Sequence, residues 1–202
     1  MSIITDAVGG VNQRIAARVR EVRAAQAISL DALASRSGVS RSMISVIERA
    51  ECSPTAAILE KLAAGLSVTL ASFFESPRSA DRANGPVARR DDQPQWKDPA
   101  SGYIRRNVSP SGVPQPMHIT EVHFPAGGRV AFEAGSRQTR VHQQVWLLEG
   151  AIEITLENER HSLAEGDCLA MELNQPVMFH NPTRKPARYA VVTVCDTPPS
   201  RR

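Results

Sequence analysis

The chain has 202 residues, 42% of them apolar and 22% charged, with a net charge of +3. That length fits two small domains, and the charge excludes a polycation drawn to its partners by bulk attraction. No run approaches the roughly 18 apolar residues of a membrane span, the start "MSIITDAVGG" has no basic segment followed by an apolar core, and the three cysteines cannot all pair. A cytoplasmic protein with reduced thiols is therefore expected, with no membrane partner.

In chain order, "VNQRIAARVREVRAAQ" places Ile15, Val19 and Val22 on one helical stripe, with Arg14, Arg18, Arg20 and Arg23 among them. "SLDALASRSG" opens on a capping Ser29 and closes on Gly38, suited to a left-handed stop. "SRSMISVIERA" opens on Ser40, "TAAILEKLAAGL" on Thr55, and "TLASFFE" makes a short last helix, so five helices are expected within residues 1–76. "SPRSADRANGPVARRDDQPQ" is rich in Pro, Gly and charge, and residues 77–97 read as a linker. Beyond it come "YIRRNV", "MHITEVHF", "RVAFE", "QVWLL", "AIEITLE", "RHSL", "CLAMEL", "VMFH" and "ARYAVVTVC". Turn residues separate these runs, and residues 98–197 read as an antiparallel sandwich or barrel.

The second and third helices meet at "SGVS", a turn too short for an antiparallel return, so they must cross steeply as in a helix-turn-helix. The third helix then presents Ser40, Arg41, Ser42 and Ser45 outward while Met43, Ile44 and Ile47 face inward. Small hydroxyls let such a helix enter a major groove, Arg41 reaches guanine O6/N7 or a phosphate, and the helix starts at Ser29 and Ser40 hold phosphates. A solvated polar face of a generic bundle is the bland alternative. The stretch "SLDALASRSGVSRSMISVIERAECSPTAAILEKLAAGLSVTLASFF" resembles the phage-repressor (XRE) type of DNA-binding domain along its whole length. The resemblance implies an all-α five-helix repressor-like bundle, with base-reading positions on Arg41, Ser42, Ser45 and Val46 and with Arg49 also at the DNA. It further implies a pair between Arg23 and Glu48 that holds the recognition helix against the first. Two positions depart from the pattern: Ala50 replaces a common glycine, and Leu30 stands where some repressors place a phosphate-binding glutamine. One such domain makes few base contacts, so a homodimer on a two-fold-related, double-stranded operator is expected.

The pieces "LLEG", "L-x-x-GD" and "P-x-x-F-x-N" follow in the order and at the intervals of the cupins, and the second half resembles that family. The resemblance implies an all-β cupin (double-stranded β-helix) barrel. Metal-binding cupins use two histidines spaced by one residue, a glutamate and a third histidine. The matching positions here fall near Arg137 and Thr139, and on Gln143 and Val177, which are poor ligands for a transition metal. No metal and no other cofactor is expected, and no catalytic residue is assigned. His142 and His180 sit at odd offsets from Gln143 and Val177 and should point away from the interior. Arg137, Thr139, Gln143, Val145, Val177 and Phe179 are expected to line an effector pocket suited to a small carboxylate or polar metabolite, although Arg137 also fits a solvent-facing loop. Together these readings describe a transcription regulator with a small-molecule sensor. The alternatives are an iron-dependent oxygenase or epoxidase that retains the helix-turn-helix domain, and a dimerisation barrel without ligand.

Overall fold

A computed structural model describes residues 3–74, 85–110, 117–134 and 140–195. Its helices are α1 (Ile3–Ala25), α2 (Leu30–Ser37), α3 (Arg41–Glu48) and α4 (Ala56–Gly65). The three shorter ones start at side-chain caps that satisfy otherwise orphaned donors. Ser29 Oγ accepts from the Ala32 N–H at 3.1 Å, Ser40 Oγ from Met43 at 3.2 Å, and Thr55 Oγ1 from Ile58 at 3.3 Å. Gly38, at φ 67°, ends α2 in the left-handed conformation and returns its N–H to Ala34 O. A Cβ on Gly65 would stand 3.0 Å from Ser37 Cβ, so the glycine lets the end of α4 press against α2.

The expected fifth helix is corrected by the structure: Leu70–Phe74 is a 3₁₀ turn, leaving four α-helices among the described residues. Ser72 donates its hydroxyl to Thr69 O at 2.7 Å and its N–H to Thr69 Oγ1 at 3.3 Å, an i to i+3 pattern that tightens the backbone. Five buried residues are also too few to carry an α-helix on their own. The bundle closes over Ile15, Val19, Leu33, Ile44, Ile47, Leu59 and Leu62, none more than 1% exposed.

Among the described residues ten strands follow: β1 (Gln95–Lys97), β2 (Ile104–Asn107), β3 (Met117–Phe124), β4 (Arg129–Phe132), β5 (Val141–Glu149), β6 (Ala151–Leu156), β7 (Glu159–Ala164), β8 (Cys168–Glu172), β9 (Val177–His180) and β10 (Ala187–Cys195). They form a six-stranded sheet, β1-β2-β3-β10-β5-β8, and a four-stranded sheet, β4-β9-β6-β7, with antiparallel pairings throughout. The barrel expectation is corrected too, because these are two open sheets packed face to face. The chain changes sheet at the turns through Gly150 and Gly166, between β5 and β6 and between β7 and β8, instead of continuing a ladder. Inward residues such as Val145, Leu147, Ile152, Ile154 and Phe124 fill the space between, all fully buried.

β1 lies inside the segment read as linker. Its Trp96 is 4% exposed and packs between Phe74 of the 3₁₀ turn, at 5.7 Å between ring centroids, and Tyr103, at 5.9 Å. The ring contacts continue through Phe124 and Tyr189 to Phe179, so one apolar core runs from the bundle into the sheets. Polar contacts cross the same junction. Asp98 Oδ1 accepts from the Ala56 N–H at 2.8 Å, Lys61 Nζ meets Glu133 Oε2 at 2.9 Å, and Asn107 Nδ2 donates to Ala71 O at 3.3 Å.

Candidate functional site

The apolar positions of α3, Ile44 and Ile47, are buried, which turns Arg41, Ser42, Ser45 and Val46 towards the outside. With Leu30 and Arg49 these four line one open groove on the bundle surface. Arg41 is largely exposed, with Nε 3.2 Å from Asp31 Oδ1. Arg49 pairs with Glu51 and donates to Ser45 Oγ. Ser40 and Ser42 hold their hydroxyls 3.2 Å apart at the exposed start of the helix. Ser29 is exposed at the start of α2. Met43 does not face inward as expected: it is 38% exposed, because its position in the first turn of α3 lies off the stripe defined by Ile44 and Ile47.

Beneath α3 the structure brings Arg23 and Glu48 together. Arg23 Nε and Nη2 donate to Glu48 Oε1 and Oε2 at 2.6 and 2.9 Å, and Nη1 donates to Ile28 O at 2.9 Å. Both side chains are largely buried, and the hydrogen bonds to Glu48 raise the Arg23 pKa above its ordinary value. Arg20 donates to Glu48 O as well, so two arginines of α1 grip the last residue of α3. Ala50 then turns the chain at φ 58°, a conformation that suits the glycine it replaces.

In the sheets, Gln143 and Phe179 line a cavity of ≈ 60 Å³, and Gln143 Nε2 donates to Thr193 Oγ1 at 3.1 Å. Val145 and Val177 are packed into the core of the sheets, beside this cavity but not in its lining. Arg137 and Thr139 lie outside the described residues. Sequence reasoning missed the cavity's charged members, Arg105 from β2 and Glu60 from α4. A signal for the first was present: Arg105 and Arg106 are consecutive in a strand, so one of them must point inward. His180 Nδ1 is 3.3 Å from Glu153 Oε2, and His123 Nε2 is 3.2 Å from Glu121 Oε1. Among the described residues no three His, Cys, Asp or Glu side chains are placed to hold a metal ion.

Residues 19–73 match the model of the HTH_3 helix-turn-helix family. The chain is 28% identical over 166 residues to the HTH-type transcriptional regulator SutR of Escherichia coli, an alignment covering 81% of this chain and 84% of that one. It is 26% identical over 167 residues to the E. coli regulator PuuR, with 81% and 85% covered. An HTH_3 family transcriptional regulator from Vibrio cholerae superposes with a TM-score of 0.74 at 22% identity, covering 94% of this chain and 99% of that one, so the fold extends through both halves. The chain thus joins an XRE-type helix-turn-helix domain to an antiparallel double sheet, and along most of its length it is similar to HTH-type transcriptional regulators.

Proposed function

We propose that the protein is a sequence-specific DNA-binding transcription regulator that acts as a homodimer and changes its operator affinity when a small molecule binds the double sheet. The observation that carries this reading is the α3 surface. Arg41, Ser42, Ser45, Val46 and Arg49 share one open groove, on a helix braced from behind by the Arg23–Glu48 pair. Small side chains flanked by two arginines suit a helix that enters a major groove, and the capped starts of α2 and α3 suit phosphates. No enzymatic activity is proposed, because the positions of a facial triad carry an amide at Gln143 and an alkyl group at Val177.

The dimer reading is supported by the outer face of the six-stranded sheet. Registers β3–β10 and β10–β5 place Met117, Ile119, Val192, Val194, Ala190 and Trp146 side by side there, with Met117 42% and Trp146 51% exposed. An apolar patch of this kind suits a two-fold contact between identical surfaces. The test of the DNA reading is duplex selection from a random pool by the full chain, followed by titration of the recovered duplex and of a scrambled control. The expected result is preferential binding of the recovered sequence. Equal affinity for both duplexes would remove the claim of sequence specificity.

A further inference from the structure

We propose that the cavity where α4 meets the six-stranded sheet is the effector site, and that it takes a small carboxylate on the guanidinium of Arg105. This rests on the reading that the double sheet senses a small molecule, and it names the ligand class, the anchoring residue and the route to the reading head.

Arg105 is 8% exposed and points from β2 into the cavity. Its Nη2 donates to Thr120 Oγ1 at 2.8 Å, while its buried Nε has no hydrogen-bond partner. The guanidinium lies 5.6 Å from the centre of the Phe74 ring. Among the described residues no carboxylate pairs with it directly; Glu60 acts on it only through space. Burial lowers its pKa, yet an arginine remains charged inside a protein. A buried cation with an unused donor is costly unless an anion completes it. The planar fork of donors fits a carboxylate best. The remaining wall is largely apolar, with Leu70, Phe179 and Tyr189, and Gln143 adds one amide. A volume of ≈ 60 Å³ admits several water-sized centres, room for a ligand of a few carbon atoms.

The position of the cavity gives the ligand a way to act on the DNA-binding domain. Leu70 and Glu60 belong to the helical domain, while Arg105 and Gln143 belong to the sheet. α4 abuts α2 at Gly65 and Ser37, and α2 packs on α3. A carboxylate on Arg105 sets negative charge beside Glu60 and so alters the docking of α4.

The experiment is thermal unfolding of the full chain with acetate, propionate, pyruvate, lactate and succinate, each beside its neutral amide, on wild type, Arg105→Met and Arg105→Lys. At least one carboxylate is expected to raise the wild-type Tm by roughly 5–10 °C at a hundredfold excess over Kd, while its amide has no effect. The shift should vanish in Arg105→Met and shrink in Arg105→Lys, with far-UV circular dichroism reporting that each variant folds. No shift with any of the five, or an equal shift in Arg105→Met, would overturn the site. A shift that depends on Arg105 without a change in operator affinity would uphold the site and reject the sensor reading instead.

Discussion

Arg41 and Arg105 carry the same side chain in opposite surroundings. Arg41 lies in water with one exposed partner, Asp31, and such a pair is worth about 1 kcal/mol or less, so it yields readily to DNA. Arg41→Ala is expected to cost about 1–3 kcal/mol on the specific duplex and much less on a scrambled one if the guanidinium reads a base; anisotropy titrations of both duplexes measure the difference. Glu48 has the reverse role, because its carboxylate is buried against Arg23. Glu48→Gln leaves that arginine without its counter-charge and should destabilise the fold by about 3 kcal/mol in urea unfolding. The Arg23–Glu48 contact followed from family resemblance, whereas Arg105 escaped the reading. Strand alternation announces an inward residue at one of two adjacent arginines but does not say which. Here both are covered, Arg106 by Glu121 on the opposite face.

At the scale of elements, the helices were the easier part to read, since each short helix has a hydroxyl cap at its start and α2 has a glycine at its end. Those are local chemical signals that survive without tertiary context. β1 and the 3₁₀ turn lacked them. Gln95–Lys97 becomes a strand because Trp96 finds a buried place between Phe74 and Tyr103, and no local pattern encodes that partner. The open sheets likewise depend on where the chain changes layer, which the alternation within strands leaves undetermined. Two outcomes are expected at this scale. Ala50→Gly relieves a left-handed alanine after α3 and should raise stability by about 1 kcal/mol, seen as a higher Tm. Asp98→Ala removes a carboxylate that caps the first N–H of α4 from the other domain. It should cost about 1–2 kcal/mol of stability and reduce any effect of the ligand on operator affinity; unchanged coupling would show that α4 does not carry the signal.

At the scale of the whole molecule, the reading head and the double sheet share a core, a set of polar contacts and a cavity. The segment 77–97 is therefore not the sole link between them: its end is folded into the sheet. The proposed recognition of an operator by two heads needs them in fixed relation, which the proposed contact between outer sheet faces would supply. Trp146→Glu places a charge in that apolar patch and should convert the proposed dimer to monomers in light scattering, with operator affinity falling at least tenfold. A variant that stays dimeric would place the interface elsewhere. The central claim, that α3 reads DNA as one of a pair, is tested most directly by hydroxyl-radical footprinting of the full chain on its selected duplex. The account expects two protected windows on one face of the duplex, with centres about 10 base pairs or a multiple apart, both lost in Arg41→Ala. A single window, or protection that Arg41→Ala leaves unchanged, would contradict it.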